Sequence, residues 1–139
     1  MKSAIEVQNL RKVYDGGFEA VSGIDLSIPQ GSFYGLLGPN GAGKTTTIGM
    51  MTGLVNITSG SISVMGYDSV KDFRQARKLI GLSPQELNFD VFFSMQELLE
   101  LQAGYYGLSY KQAKERAELM LEQFGLTEKR KSKSRELSG

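Results

Sequence analysis

Residues Gly38-Pro39-Asn40-Gly41-Ala42-Gly43-Lys44-Thr45 follow the pattern G-x-x-x-x-G-K-[ST], and Thr46 comes directly after them. These residue types in this order suit one chemistry, the holding of a chain of phosphates. Glycines at 38, 41 and 43 permit backbone conformations that a β-carbon would block. The backbone amides of the loop can then turn inward as an anion nest. A helix leaving the loop adds its positive end, which favours phosphate. Lys44 supplies a point charge for the β- and γ-phosphates. The Thr45 hydroxyl suits Mg²⁺, a hard cation that prefers oxygen ligands and stays partly hydrated. Thr46 is placed to donate to the α-phosphate. A glycine-rich turn with a chance lysine is the alternative reading. The motif favours the cradle when a strand enters the loop and a helix leaves it.

Both flanking elements are expected. Phe33-Tyr34-Gly35-Leu36-Leu37 is a nearly continuous apolar run, the pattern of a strand buried on both faces in a parallel sheet. Thr45 to Leu54 reads as a helix with Ile48, Met51 and Leu54 near one face. Upstream, Ile5 and Val7, then Ile24, Leu26 and Ile28, alternate with polar neighbours as short strands do. Asp15-Gly16-Gly17 between these runs predicts a hairpin, and Pro29-Gln30-Gly31 ends the second run. Ile62 and Val64 mark another strand, Asp72 to Leu79 a short helix, and Ile80-Gly81-Leu82 a further apolar strand stopped by Pro84.

After Gln85 the pattern turns helical. Ser94-x-x-Glu97 and Ser109-x-x-Gln112 are two capping boxes. The first opens a helix with Leu98, Leu99, Gln102 and Tyr106 on one side. The second opens a helix with Ala113, Ala117, Met120, Leu121 and Phe124 at helical spacing. Gly125 followed by Leu126 predicts a left-handed helix stop.

Composition removes other chemistries. The 139 residues point to one domain with a real core. With no His and no Cys, these residues cannot form a Ser-His-Asp triad, a zinc–thiolate site, a disulfide or a Cys nucleophile. Hydrophobic content of 40% with 22% charged residues is that of a globular protein. No run of about 18 apolar residues occurs, and Met1 to Glu6 lack the apolar stretch of a signal peptide. A cytosolic chain is therefore the default expectation. The net charge of +1 gives no general argument for nucleic acid. Residues 111–139 do hold 8 basic side chains against 5 acidic ones. That excess, at Lys129, Arg130, Lys131, Lys133 and Arg135, has no interleaved aromatic for base stacking, so it reads as a solvated face with no nucleic-acid partner.

Kinases, GTPases, motors and transporters all use such phosphate loops. No Asn-Lys-x-Asp base-reading motif occurs here, which disfavours a GTPase. Four features in order make the whole chain resemble the ATP-binding subunits of ABC transporters. Tyr14 stands upstream of the loop, where that family places the residue that stacks on adenine. Read alone, it would be a packing residue before a turn. The loop is spelled GPNGAGKTTT, as is typical of the family. Leu82-Ser83-Pro84-Gln85-Glu86 looks like the family's Q-loop, with Gln85 lying 41 positions after Lys44. Arg135-Glu136-Leu137-Ser138-Gly139 looks like the opening of the LSGGQ-type signature, with Ser138 lying 53 positions after Gln85. Gly66-Tyr67-Asp68 and the stretch from Gln102 to Gly107 look most like bacterial multidrug or polyketide export subunits.

The resemblance implies an α/β fold. It would have a P-loop NTPase (RecA-like) core, an N-terminal antiparallel β part and a helical subdomain, with the C-terminal part of the fold absent. Residues 1–86 would form the β part plus a partial P-loop core, and 87–139 the helical subdomain up to the start of the signature. The nucleotide-binding residues would be Tyr14, Gly38, Pro39, Asn40, Gly41, Ala42, Gly43, Lys44, Thr45 and Thr46, holding ATP. Lys44 and Gln85 would be catalytic, and Thr45 and Gln85 would hold Mg²⁺. Ser138 and Gly139 would act in trans on ATP held by a second such subunit in a head-to-tail dimer. The other partner would be a transmembrane permease subunit, which places the chain on the cytoplasmic face of the cell membrane. The family's Walker B carboxylates and switch histidine follow the signature and are not among these residues. Turnover by this chain alone is therefore not expected. A non-catalytic nucleotide-binding fragment and a soluble ABC-type ATPase are the alternatives.

Overall fold

The computed structural model describes residues 2–83, 92–133 and 136. The chain divides between residues 83 and 84 into two compact units.

In the first unit, strands β1 (Ser3–Val13), β2 (Glu19–Pro29), β3 (Ser59–Val64) and β4 (Tyr67–Asp68) form an antiparallel sheet in the order β2-β1-β3-β4. The expected hairpin joins β1 to β2. Gly16 and Gly17 take φ of +88° and +83° in its turn, conformations open to glycine at no steric cost. The register of β1 against β2 shifts at several points that the alternation of its residues does not announce, and the one at Asn9 shapes the core. Asn9 adopts φ +44°, and the pairing register with β2 shifts between Val7 and Leu10. The bulge turns Val7 and Leu10, three positions apart, into the same core. The Asp25 carboxylate accepts from the Asn9 amide at 2.8 Å. A β-carbon on Gly60 would run into the Asn9 carbonyl, so the neighbouring strand also needs a glycine there.

Helix α1 (Lys44–Thr52) and helix α2 (Phe73–Lys78) complete this unit. Val7, Leu10, Val21, Ile62 and Val64 of the sheet bury themselves with Met50 and Met51 of α1 and Ala76 of α2. The buried side of α1 is thus Thr47, Gly49, Met50 and Met51, not the expected Ile48–Met51–Leu54 stripe. Ile48 and Leu54 are exposed. The helix runs close to its own exit chain: a β-carbon on Gly49 would lie 2.7 Å from Val55 Cγ2.

Two expected strands are absent. Phe33–Leu37 has no assigned strand, and Phe33 and Leu37 are almost fully exposed at 104% and 93%. Ile80–Leu82 is likewise irregular, with Ile80 packed on the core and Leu82 exposed. The reason is pairing. A strand exists only through hydrogen bonds to a neighbour, and the four described strands pair among themselves. Apolar runs alone do not supply that neighbour.

The second unit is helical, with α3 (Met95–Tyr105), α4 (Tyr110–Gln123) and a 3₁₀ turn at Thr127–Lys129. Both capping boxes form as expected. At α3 the Ser94 amide and hydroxyl each donate to Glu97 Oε2 at 2.7 Å, and Ser94 Oγ accepts from the Glu97 amide. The next two amides are also taken, Met95 by the Ser132 carbonyl and Gln96 by the Arg130 carbonyl. Ala113, Ala117 and Leu121 form the buried stripe of α4, with Met120 half-buried. Phe124 is exposed because it is the last residue before the chain turns at Gly125, φ +66°. There Leu126 N–H donates to the Leu121 carbonyl at 2.7 Å and Gly125 N–H to Glu122 at 3.0 Å, a Schellman ending. On α3, Leu98 and Leu99 are half-buried while Gln102 and Tyr106 are exposed.

The Ser94 amide and hydroxyl hold the Glu97 carboxyl below its ordinary value, with a smaller contribution from Lys133. A depressed carboxyl stabilises the fold above the unfolded value, about 4.3 for glutamate, and that stability is lost as pH falls through the folded value. Thermal melts followed by circular dichroism should show Glu97→Gln flattening the acid-induced loss of helix below about pH 4.3. An acid limb identical to that of the parent would contradict this role for the carboxylate.

Candidate functional site

The loop from Gly38 to Gly43 delivers the chain to α1. Gly41 and Gly43 both adopt φ +84°. Gly43 is required twice over. Its backbone is left-handed, and a β-carbon there would run into the Ala20 carbonyl oxygen while lying 3.1 Å from Val21 Cγ2. The loop therefore rests directly on β2. Gly38 is different. Its backbone is not left-handed, and a β-carbon there would sit tightly at 3.2 Å from Ala42 Cβ and in ordinary contact, 3.9 Å, with Lys44 Cδ.

Gly43 is also the N-cap of α1, and it offers no side-chain acceptor to the helix start; the first turn contains no acidic residue. The first amides of any helix have no acceptor within it. At α3 and α4 a serine and a carboxylate or amide fill that role. At α1 the side chains leave it open, and an anion is the partner such a start prefers.

Lys44, the first residue of α1, folds back onto the loop. Its ammonium donates to the carbonyl oxygens of Gly38 at 2.6 Å and Pro39 at 2.7 Å. Two of three donors are used, and the third remains for another acceptor. Thr45 is exposed, Thr46 half-buried and Thr47 buried.

Tyr14 belongs to the hairpin turn. Its amide donates to the Phe18 carbonyl at 2.9 Å, and its own carbonyl accepts from Gly17 at 3.0 Å. The structure brings it to the start of α1, where its hydroxyl lies 3.5 Å from Thr46 Oγ1, a long and weak contact. Three neighbours were not singled out from sequence. Thr58 Oγ1 accepts from the Val13 amide at 3.0 Å and donates to the Val13 carbonyl at 3.2 Å, anchoring the residue before Tyr14. Lys12 places its ammonium 4.8 Å from the Tyr14 ring centroid. Ala20 is the residue on which Gly43 rests. Only Lys12 had a legible signal, because residues i and i+2 of a strand share a face.

Gln85, Ser138 and Gly139 lie outside the described residues. Among the described residues no cluster of His, Cys, Asp or Glu could hold a metal ion. A divalent cation at this loop would take the Thr45 hydroxyl together with phosphate and water oxygens, a donor set that fits Mg²⁺.

A glycine loop resting on a strand, an open helix start and a lysine folded over the loop define an α/β protein of the P-loop nucleotide-binding class. The family model described as "ABC transporter" matches residues 21–139, and the chain belongs to that family. It is 43% identical over 135 residues to the linearmycin resistance ATP-binding protein of Bacillus subtilis, covering 97% of this chain and 43% of that protein. It is 40% identical over 139 residues to a Nod factor export ATP-binding protein of Cupriavidus metallidurans, covering 100% of this chain and 46% of that one. A daunorubicin/doxorubicin resistance ATP-binding protein of Streptomyces peucetius is 39% identical over 127 residues, 91% of this chain and 38% of its own. The chain thus spans less than half the length of these relatives.

Among solved structures, an ATP-binding subunit of an ABC transporter superposes with a TM-score of 0.80 at 28% identity, covering 98% of this chain and 56% of that one. A dimeric ATP-binding cassette bound to ADP and Pi superposes at 0.75 with 24% identity, covering 96% of this chain and 63% of that one, a likeness of fold. The α/β class and P-loop fold read from sequence agree with these neighbours.

The contact between Gly43 and β2 carries a direct expectation. Gly43→Ala should abolish nucleotide binding by this loop and lower the melting temperature, because both the left-handed backbone and the Ala20 contact are lost. Titration calorimetry and thermal melts check it, and parent-like binding would contradict the geometry.

Proposed function

We propose that this chain provides the ATP-holding part of the energy-coupling subunit of an ABC exporter. The observation that carries the reading is the open start of α1 at Lys44, in a family whose members are ATPases. The relatives' names, which speak of drug resistance and of Nod factor export, support the export direction.

In this reading the amides of residues 38–46 cradle the phosphates, with Pro39, Asn40 and Ala42 shaping the loop between its glycines. Lys44 turns from the Gly38 and Pro39 carbonyls to the β- and γ-phosphates and stabilises charge on the transferred phosphoryl group. Thr45 and Gln85 hold Mg²⁺, which neutralises phosphate charge when bound. Thr46 donates to the α-phosphate. Tyr14 stacks on the base, an interaction worth about 1–3 kcal/mol and tolerant of base identity. Gln85 orients the attacking water, which a neutral amide can do without becoming a base. Ser138 and Gly139 reach the γ-phosphate held by a second subunit. Closure of that head-to-tail pair pushes on a transmembrane permease, and hydrolysis resets it. The reading also assigns residues 1–86 to the core, residues 87–139 to a helical subdomain, and the whole to the cytoplasmic face of the membrane. No helix among the described residues is long and apolar enough to cross a membrane.

Removing a charged donor to phosphate costs about 1.5–3 kcal/mol, or roughly tenfold to a hundredfold in affinity. Lys44→Ala should therefore weaken Mg-ATP binding at least about tenfold by calorimetry. The 139-residue chain by itself should release no phosphate in a Lys44-dependent way. Unchanged affinity in the variant, or steady Lys44-dependent turnover, would sink the corresponding half of this reading.

A further inference from the structure

Lys12 has no assigned task, yet it lies against the residue expected to meet the base. Its ammonium is 4.8 Å from the centroid of the Tyr14 ring, within cation–π range. Lys12 is half-buried in β1, so its stem is packed rather than free in solvent. The only ion pair among the described residues is Arg11–Glu19, so the Lys12 charge is not taken up by a carboxylate there.

Tyr14 itself is loosely held. It sits one position past the end of β1, the residue is 39% exposed, and its hydroxyl meets Thr46 only at 3.5 Å. A ring that must present a flat face to a base loses affinity if it swings freely, because its ordering is then charged against binding. A cation on one face restrains that swing. It also leaves the opposite face as the one open to stacking, and draws π density away from it.

We propose that Lys12 is a positioning residue that holds the Tyr14 ring for the base of the nucleotide. The proposal rests on the reading of Tyr14 as the stacking residue. In this role Lys12 acts through the Tyr14 ring, so its contribution should appear only with ligands that carry a base.

The test compares Mg-ATP with Mg-tripolyphosphate, which has phosphates and no base, on the full chain by calorimetry. Lys12→Met keeps the stem and removes the charge. It should weaken ATP binding about two- to fivefold and leave tripolyphosphate binding unchanged. Lys12→Arg should retain ATP affinity. In a Tyr14→Ala background, Lys12→Met should have no further effect. Equal weakening of both ligands, or a full effect without Tyr14, would overturn the proposal. If Tyr14→Ala alone leaves ATP and tripolyphosphate binding as they were, the stacking reading falls and this inference falls with it. Loss of both ligands in Lys44→Ala would in that case show the phosphate site still standing. Circular dichroism of each variant verifies that the fold is retained.

Discussion

The amides at the start of α1 have no acceptor within their own helix, and the structure around them keeps that start open. Gly43 lies so close to Ala20 and Val21 that no side chain fits between loop and strand. The helix is therefore pinned at its beginning by β2. Its end is pinned as well. Leu54 N–H and Val55 N–H both donate to the Gly49 carbonyl, at 2.8 and 2.9 Å. Arg77 of α2 donates to the Gly53 carbonyl at 2.9 Å, placing a cation at the negative end of the helix dipole. Between these points Met50 and Met51 bury into the sheet. The site is thus a helix fixed at both ends whose first turn is left unpaired.

The same chain shows what a helix start looks like when it is meant only to be stable. α3 and α4 each open with a serine, whose hydroxyl accepts from an amide of the first turn while the Glu97 or Gln112 side chain returns a bond. At α3 the carbonyls of Arg130 and Ser132 take two more amides. A capped start is worth about 1 kcal/mol to a helix. α1 forgoes that stabilisation, which is the kind of local violation expected where function overrides folding. The hairpin that carries Tyr14 follows a related logic. Thr58, just before β3, fixes Val13 through both its amide and its carbonyl, so Tyr14 starts from a defined place even though it is exposed.

Much of this was legible in residue types. The G-x-x-x-x-G-K-T spelling located the site, and the serine-plus-three patterns located two helix starts to the residue. Asp15-Gly16-Gly17 marked the hairpin. What failed was whatever depends on a partner distant in sequence. Phe33–Leu37 has the composition of a buried strand, but composition does not name the strand it pairs with, and among the described residues none does so. On α1 the stripe expected from spacing holds only at Met51, while Ile48 and Leu54 are exposed, since which side is buried depends on where the sheet lies. The Asn9 bulge escaped because alternation assumes an even register, and one inserted residue redirects Leu10. Gly38 does not take the left-handed backbone expected of it; a β-carbon there would instead make a tight 3.2 Å contact with Ala42 Cβ.

The central claim is that α1 alone among the longer helices offers its first-turn amides to an anion. Amide chemical shifts recorded during a Mg-ATP titration test it most directly. The account predicts large shifts at Gly41, Gly43, Lys44, Thr45 and Thr46, and none at Glu97 and Gln112, whose amides already bond to serine hydroxyls. Shifts concentrated at the capped helices, with the amides of residues 41–46 unmoved, would contradict it.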